Sequence, residues 1–403
     1  MHVLVLPSWY STPEVPWTGI FFENQAVALA RAGARVGIAF VEPRGLRHIS
    51  AANLRESHFQ VVSSQDRGVT LLRMKGWNTM MQTVAGAKIW AALSNRLVAH
   101  YVRHFGVPDI IHAQAALWAG RVALRLARTL ARPCVVTEHS SAVMRGALKP
   151  GERREVARIY RQADSVLAVS RVLQEAVDRL AGRQRGPVVP NAVDFDFFAL
   201  PAAPRQRQPF TYLCVCNLVT NKEVDRLIGA FARASLRCPD SRLVIVGDGP
   251  DIHRLRHLAG QSVVAGQVEF AGGLPPDGVR ARLWTANTLV LPSAFETFGV
   301  VLVEALATGI PVISTRCGGP EDIIEPGLGL LVEQDDDDAL VEAMVTVTTQ
   351  TYSEDELRRR AMARFSFENV ARTLLGIYRS LEPGQLRGYH DVVKQPGDGR
   401  FYA

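Results

Sequence analysis

The sequence predicts an α/β protein made of two lobes, each with a parallel β-sheet covered by helices on both faces. Three observations support this prediction. The chain has 403 residues, which is too long for a single hydrophobic core and suits two domains. Short apolar runs alternate with longer amphipathic stretches, which is the order of a parallel sheet. This pattern stops at a segment rich in proline and then starts again.

Residues 1–190 form the predicted N-terminal lobe, which is Rossmann-like. Apolar runs predict strands at 3–6, 36–40, 110–112, 135–137 and 166–170. Amphipathic stretches predict helices at 22–32, 87–104 and 117–130. Ligands of such sheets bind beyond the carboxyl ends of the strands, so the site of a two-lobed protein is expected in the cleft.

Residues 191–209 are the predicted linker, and residues 210–365 repeat the pattern in a C-terminal lobe. Strands are predicted at 210–215, 243–246, 268–270, 288–291 and 312–314. Helices are predicted at 223–234, 251–258, 278–284, 299–307 and 338–349. The stretch 354–381 predicts one amphipathic helix. Residues 366–403 are expected to be a C-terminal helix that returns to the first lobe, followed by a polar tail from Glu382.

The charge is unevenly distributed along the chain. Residues 1–200 hold 25 Lys and Arg against 14 Asp and Glu, a net charge of +11, and the remaining −4 brings the whole chain to +7. A basic half indicates either an anionic partner or an arginine-rich surface without a partner. No zinc knuckle, aromatic RNA-binding motif or basic tail supports nucleic acid as the partner.

The N-terminus and the cysteines indicate a cytoplasmic protein. The first residues lack a basic region, a long apolar stretch and a small-residue cleavage site, so no signal peptide is expected. No window is apolar over the length needed to span a bilayer. Five scattered cysteines without zinc spacing predict reduced and mostly buried thiols.

The stretch 291–311 is the most informative part of the sequence. A predicted strand is followed by a polar loop, and a helix then begins near Phe298 and ends at Gly309. The amides of Phe298, Gly299 and Val300 are therefore expected to be unpaired at a helix N-terminus. Such an end carries partial positive charge and suits a diphosphate.

Two carboxylates flank this helix start. Glu296 precedes the helix and Glu304 follows about two turns later. Each can accept hydrogen bonds from a pair of sugar or ribose hydroxyls. Alternatively, Glu296 complements the helix dipole and Glu304 lies on a solvated face. The second alternative is the weaker one, because the neighbours of Glu304 are apolar and a buried carboxylate needs a partner.

Glu296 and Glu304 match the E-x7-E signature of the family 4 retaining glycosyltransferases (glycosyl transferases group 1), whose fold is GT-B, two Rossmann-like lobes facing across a cleft. The resemblance extends from residue 1 to about 380. Further segments similar to motifs of this family are 19–25, 109–113, 137–140, 163–170, 189–194, 246–250 and 270–272. The resemblance implies transfer of a sugar from a nucleotide-sugar donor to a hydroxyl, without a metal or other cofactor.

One position departs from the family pattern. In this family an arginine and a lysine after the first strand of the second lobe hold the donor phosphates. Lys222 matches the lysine, but Asn217 replaces the arginine. An asparagine donates a hydrogen bond without charge, and the lost charge-assisted bond is worth roughly 1.5–3 kcal/mol. This difference indicates a variant active site or, less favoured, a weakened or non-catalytic one.

The resemblance implies donor-binding roles for the matching residues. Glu296 would bind hydroxyls of the donor sugar and Glu304 the ribose. The diphosphate would be held by the amides of residues 298–300 together with Lys222 and Asn217. Leu274, in the loop after the third strand, would contact the base.

Two matching residues belong to the first lobe. Gly19 would let its loop approach the phosphates when the cleft closes, and His139 would lie beside the reacting sugar or the acceptor. Taken alone, His139 would be better interpreted as a core histidine, but the surrounding motif reverses that preference. His139, Glu296 and Lys222 are the predicted catalytic residues.

Three other motifs are of less interest. Asp194 and Asp196 form a D-x-D pattern, but they follow the first lobe instead of ending a nucleotide-binding strand, so no metal site is predicted. The acidic run 335–338 is interpreted as a solvated loop and helix cap. The stretch 317–321 is either a turn with proline at the first helical position or part of the phosphate pocket.

The resemblance also implies a mechanism. Same-face attack with retention, in which the leaving phosphate takes the acceptor proton, is the expected route. A UDP-sugar is favoured over GDP-mannose as the donor, and the product is expected in polysaccharide or glycoconjugate biosynthesis.

Acceptor and fold-related alternatives stay open. The helix-face arginines Arg121, Arg125 and Arg128 suit an anionic or lipid-linked acceptor at the inner membrane face as well as they suit ordinary surface. A catalytically weak pseudo-transferase and a sugar-nucleotide epimerase are the alternatives of the same fold. A phosphorylase would need a cofactor lysine that the sequence does not place.

Overall fold

Two separate β-sheets, one in each half of the chain, form the framework of the molecule. The computed structural model describes residues 1–12, 18–46, 49–55, 58–80, 83–206 and 208–381. The polar tail predicted from residue 382 lies outside the described residues. Two parallel-sheet α/β lobes are present, and the predicted fold class is confirmed.

The first lobe holds a sheet of seven described strands in the order β3-β4-β2-β1-β5-β6-β7. These strands are β1 (His2–Pro7), β2 (Arg35–Arg44), β3 (Val61–Asp66), β4 (Val69–Trp77), β5 (Ile110–Gln114), β6 (Cys134–Glu138) and β7 (Ser165–Ala168). All neighbours run parallel except the β3–β4 hairpin. The helices between them are α1 (Ile20–Arg31), α2 (Ala51–Arg55), α3 (Val84–Phe105), α4 (Arg121–Leu130), α5 (Ser141–Met144), α6 (Pro150–Gln162) and α7 (Arg171–Ala181).

The second lobe holds a fully parallel sheet in the order β10-β9-β8-β11-β12-β13. Its strands are β8 (Phe210–Val215), β9 (Ser241–Val246), β10 (Val268–Gly272), β11 (Thr288–Leu291), β12 (Val312–Thr315) and β13 (Gly329–Val332). Its helices are α8 (Val224–Ala234), α9 (Ile252–Gly260), α10 (Pro276–Thr285), α11 (Val300–Ala307) and α12 (Asp337–Thr349), and the chain ends in α13 (Glu354–Phe365) and α14 (Phe367–Ser380).

The prediction of a single helix over 354–381 was wrong. Ser366 is extended, and its hydroxyl caps α14 by accepting from the amide of Asn369. The break lets α14 lie on α1 in the first lobe, where Phe367, Leu374 and Tyr378 are buried. A serine that can cap a helix competes with continuation of that helix, so the break has a local cause.

The predicted helix over 117–130 was also partly wrong, because α4 begins only at Arg121. The residues before it form a five-residue π turn in which Leu117 and Trp118 have non-helical backbone angles. The hydroxyl of Ser8 donates to the Leu117 carbonyl and accepts from the Ala119 amide at 3.2 Å. This long-range side-chain contact satisfies the backbone groups that a regular helix would have paired.

The two lobes are connected by two neighbouring stretches of chain. The interlobe segment after β7 pairs with the α13–α14 junction through a bridge between Val193 and Ser366, and the Val193 amide donates to the Phe365 carbonyl at 3.0 Å. Arg358 on α13 donates at 2.7–2.8 Å to the carbonyls of Phe195, Phe198 and Ala307. These bonds tie the interlobe segment to the second lobe.

Gly247, directly after β9, allows two loops of the second lobe to pack backbone to backbone. It has φ 148°, and a Cβ atom there would overlap the carbonyl oxygen of Cys216. We therefore expect Gly247→Ala to lower the free energy of unfolding by more than about 2 kcal/mol. Gly229→Ala is the matched control, because Gly229 is exposed within α8 with open space around it.

Urea unfolding of both variants measures this difference. The control is expected to gain about 0.5–1 kcal/mol, as alanine replaces glycine in a helix interior. Equal stability of the two variants would contradict the close packing of this loop.

Candidate active site

A cleft of about 610 Å³ lies between the lobes, at the carboxyl ends of strands from both sheets. Most of the predicted site residues line it. They are His139, Asn217, Lys222, Leu274, Glu296, Phe298, Gly299, Val300 and Glu304. Gly19 does not line the cleft itself. It caps α1 with φ 72°, and the next two residues, Ile20 and Phe21, form part of the wall.

The start of α11 faces this cleft. Gly299 precedes the helix in a left-handed conformation, and no described side chain caps this end. Among the described residues, no acceptor lies within hydrogen-bonding distance of the amides of Phe298, Gly299 and Val300. The helix end therefore offers free N–H groups and positive potential to an anion, as its sequence indicated.

The loop that carries Glu296 is supported from behind by the turn that follows β12. The Glu296 amide donates to the Cys317 carbonyl at 3.2 Å, and the Gly319 amide donates to the Glu296 carbonyl at 2.8 Å. Pro320 begins a short 3-10 turn, and residues 317–321 do not line the cleft. Of the two readings of this stretch, the structure selects the turn with proline at its first helical position.

Lys222 and Glu296 form an ion pair on the cleft wall. Lys222 Nζ contacts Glu296 Oε1, and the two side chains are only 18% and 12% exposed. Ser293 Oγ donates to the same carboxylate oxygen at 2.8 Å. Burial disfavours the ammonium, but the neighbouring Glu296 carboxylate outweighs burial and raises the pKa of Lys222. The ion pair therefore favours the charged form of Lys222 on the cleft wall.

Glu304 lies on α11 and also lines the cleft. Its neighbours Val303 and Ala305 are fully buried, and burial raises the pKa of the Glu304 carboxyl to about 7. The described part of the chain offers it no hydrogen-bond or ion-pair partner. Asn217, by contrast, is an exposed side chain of the same cleft.

His139 is placed at the first-lobe side of the cleft, after β6. Its Nε2 lies 2.8 Å from Gln114 Oε1, and its Nδ1 has no partner among the described residues. The rings of Phe21 and Phe22 lie with their centroids 5.0 and 4.9 Å from its own. Burial, with a smaller contribution from His112, lowers the pKa of His139 to about 3, so the imidazole is neutral.

Glu138 is a buried carboxylate next to His139 that sequence reasoning did not single out. It accepts from the amides of Ala116, His139 and Ser140 at 2.9–3.1 Å, and from the Tyr160 hydroxyl at 2.6 Å. The available signal was an acidic residue directly after the predicted strand 135–137; in the structure it is the last residue of β6. Its hydrogen bonds hold the turn that positions His139.

The carboxylates of the D-x-D motif, Asp194 and Asp196, form ion pairs within the protein. Arg31 pairs with Asp194 at 3.0 Å and with Asp196 at 3.4 Å, and Asp194 also accepts from two backbone amides. Within the described ranges, no group of three or more metal-binding side chains occurs. The prediction that no metal is required stays a prediction. In the acidic run, Asp336 caps α12 by accepting from the Ala339 amide at 2.8 Å.

The arginines of α4 are exposed, as their spacing indicated. Arg121 pairs with Glu155 at 2.8 Å, while Arg125 and Arg128 face solvent on the same helix. No helix in the described part of the chain has the length and apolar character to cross a membrane.

Two lobes with parallel sheets, and a cleft in which a helix N-terminus, a lysine and two glutamates converge, define the GT-B class of nucleotide-sugar-binding folds. Comparisons with known proteins agree. The family model described as "Glycosyltransferase Family 4" matches residues 19–197, and "Glycosyl transferases group 1" matches residues 199–364. The chain belongs to family 4 of the glycosyltransferases.

Curated relatives include two bacterial enzymes. D-inositol 3-phosphate glycosyltransferase of Acidothermus cellulolyticus is 31% identical over 313 residues, which are 70% of this chain and 69% of that protein. A GDP-mannose-dependent phosphatidylinositol monomannoside mannosyltransferase of Mycolicibacterium smegmatis is 32% identical over 234 residues, 54% of this chain and 61% of that one. Three curated relatives are matched over only 53–61% of their own length.

Solved structures share the fold. The crystal structure of Anabaena HepE in complex with UDP superimposes with a TM-score of 0.71 at 18% identity, covering 94% of this chain and all of that one. At this identity the similarity concerns the fold alone.

Proposed function

We propose that this chain is an active glycosyltransferase that moves a sugar from a nucleotide-sugar donor to a hydroxyl acceptor. The observation that carries the proposal is the convergence of three groups on one cleft. These are the amides at the start of α11, the Lys222–Glu296 pair and the Glu304 carboxylate, and the first and last have no partner among the described residues. Together they offer partners for a diphosphate, a sugar and a ribose without a cofactor.

We propose a uridine nucleotide as the donor in preference to guanosine. Leu274, Pro276 and Val279 give the proposed base end of the cleft an apolar wall. Guanine is usually read by a free carboxylate that accepts from its N1 and N2 groups. Two carboxylates that line the cleft are each bonded through one oxygen, since Asp277 pairs with Arg280 at 2.8 Å and Asp248 accepts from the Gly249 amide at 2.7 Å.

Calorimetric titration with UDP, GDP and their sugar conjugates, in the presence of EDTA, tests this assignment. Metal-free binding of a UDP-sugar by the wild type and its loss in Glu304→Ala are expected. Tighter binding of GDP-mannose would overturn the choice of base, and binding that needs a divalent cation would overturn metal independence. No binding of any nucleotide sugar would overturn the proposed activity.

The transfer is proposed to retain the anomeric configuration. The bond from the anomeric carbon to the phosphate oxygen breaks, the acceptor oxygen bonds to the same face of that carbon, and its proton passes to the leaving phosphate. The amides at α11 and Lys222 would stabilise the charge on the departing phosphate. Proton NMR of the first-formed product reads the anomer, and an inverted product would exclude this route.

The acceptor is proposed to be an anionic or lipid-linked hydroxyl compound presented at a membrane surface, in polysaccharide or glycoconjugate biosynthesis. The exposed arginines of α4 support electrostatic contact, and Leu46, Ile49 and Leu54 are exposed apolar side chains of the same lobe. Flotation with phosphatidylglycerol vesicles, but not with phosphatidylcholine vesicles, is expected. Equal flotation of a variant with Arg121, Arg125 and Arg128 changed to Glu would refute the role of this face.

Asn217 offers a way to increase activity. Its side chain lines the cleft on the loop after β8, where the family pattern has an arginine. We expect Asn217→Arg to raise kcat/KM by about tenfold or more, because a charge-assisted bond to phosphate replaces a neutral one. Steady-state kinetics measure the change, and Asn217→Gln, which adds length without charge, is the control. Unchanged kinetics in Asn217→Arg would show that another cation already fills this role.

A further inference from the structure

Three buried polar side chains of the first lobe form a line of hydrogen bonds, one end of which, His139, lines the cleft. Gln25 lies on α1, Gln114 ends β5 and His139 follows β6, and their exposed fractions are 2%, 1% and 7%. Gln114 Nε2 donates to Gln25 Oε1, and His139 Nε2 lies 2.8 Å from Gln114 Oε1. Three elements that are distant in sequence thus meet through side-chain amides.

The direction of this line determines which nitrogen of His139 carries the proton. A carboxamide has one donating and one accepting side. The donating side of Gln114 faces the Gln25 oxygen, so its accepting side faces His139. Nε2 must therefore be the N–H of the imidazole, and the other nitrogen of a neutral ring, Nδ1, keeps a lone pair.

The second nitrogen is available for a ligand. His139 lines the cleft, and the part of the chain that the structure describes provides no partner for Nδ1. Contacts with the Phe21 and Phe22 rings fix the plane of the imidazole. A buried acceptor without a donor is costly, so a hydroxyl group in the cleft would be its natural partner.

We propose that Gln25 and Gln114 are positioning residues that hold His139 as the Nε2–H tautomer, so that Nδ1 accepts a hydrogen bond from a sugar hydroxyl. The inference rests on the proposed function, because the hydroxyl belongs to a sugar substrate. Neither glutamine lines the cleft, so both act through His139. An amide line also keeps the ring neutral, which a carboxylate in place of Gln114 would not do.

The tautomer can be observed directly in the free protein. Nitrogen-15 labelling of the 10 histidines, with long-range proton–nitrogen correlation, distinguishes the two ring nitrogens, and His139→Asn identifies the signal of His139. The wild type is expected to show Nε2–H alone. Gln114→Met removes the hydrogen bond to His139, and Gln25→Met removes the hydrogen bond that orients Gln114. Both variants should give mixed tautomers. Gln174→Met, at a buried glutamine of α7 that bonds Asp178, is the control.

Donor analogues test whether Nδ1 of His139 accepts a hydrogen bond from a sugar hydroxyl. A deoxyfluoro sugar keeps size and polarity but cannot donate a hydrogen bond. At the position read by Nδ1, fluorine should lower kcat/KM of the wild type by about tenfold, which is the effect of one neutral hydrogen bond. Gln114→Met should itself lose about tenfold with the natural donor and should discriminate less against the analogue.

The outcomes separate the two proposals. An Nδ1–H signal in the wild type, or an unchanged tautomer in both Met variants, would overturn the role of the glutamines whatever the enzyme does. Discrimination by Gln114→Met equal to that of the wild type would overturn the assignment of Nδ1 to a hydroxyl. If the wild type binds no nucleotide sugar, that assignment fails together with the proposed function, while the tautomer signals still decide the role of Gln25 and Gln114.

Discussion

Replacing Lys222 with methionine is expected to lower kcat/KM by two to three orders of magnitude. The lysine lines the same cleft as the start of α11, at the proposed diphosphate site, and its partner Glu296 holds it there. Loss of one preorganised group that stabilises developing charge costs about this much in enzymes. Steady-state kinetics at saturating acceptor measure the loss, and Lys222→Arg should retain part of the activity.

A double-mutant cycle separates the two roles that this lysine could have. If Lys222 only neutralises Glu296, then Lys222→Met should cost no further activity in a Glu296→Gln background. If Lys222 acts on the phosphate, the double variant should be less active than Glu296→Gln alone. We expect the second result. Arg254→Met is the matched control, because Arg254 pairs with Asp225 on the exposed surface and its loss should leave kcat/KM unchanged.

Glu304 is expected to give donor binding and folding stability opposite dependences on pH. A carboxyl with a pKa of about 7 is half protonated at neutral pH, and only its ionised form accepts hydrogen bonds from both ribose hydroxyls. Donor affinity should therefore fall about tenfold for each pH unit below 7. Glu304→Gln should bind more weakly at pH 8 but show no such slope. Calorimetric titration with the donor, between about pH 5.5 and 8.5, measures the affinities of the wild type and of Glu304→Gln.

Stability should change in the other direction. The folded protein holds the Glu304 proton up to a pH of about 7, whereas the unfolded chain releases it near its ordinary value of 4.5. The contribution to the free energy of unfolding is complete below that ordinary value and is lost as the pH rises through 7, by at most about 3 kcal/mol. Urea unfolding of the wild type and Glu304→Gln at several pH values isolates it. A donor affinity that is flat across this range would show that Glu304 is not the ribose acceptor.

The fold was predictable because buried strands of parallel sheets are continuous apolar runs. Runs such as that of β8 leave a local signal in the sequence. The β3–β4 hairpin leaves a weaker signal in the sequence, because most side chains of β3 are exposed and polar. The break at Ser366 and the π turn before α4 depend on a cap and on a contact from Ser8, both of which override a helical pattern.

The candidate site was predictable where its chemistry is local. The loop and the start of α11 lie within a few residues of each other, so their motif shows in the sequence. The pairing of Lys222 with Glu296 joins residues 74 apart, and the contact between Gln25 and Gln114 joins residues 89 apart. Such partners are chosen by the packing of whole elements, for which a single sequence carries no local pattern. The roles of the individual residues stay predictions until the variants are measured.

The two chain crossings between the lobes affect the dissociation constant of any ligand that binds in the cleft. Two chain crossings that are bonded side by side, at Val193 and Ser366, would serve as the hinge for any relative movement of the lobes. Movement about one hinge is described by a single angle between the lobes, and each ligand selects a range of that angle. A measured dissociation constant is then the intrinsic one divided by the fraction of molecules at a competent angle. Substitutions along the bridge would therefore change the dissociation constants of all ligands that require the same range of angles by a common factor.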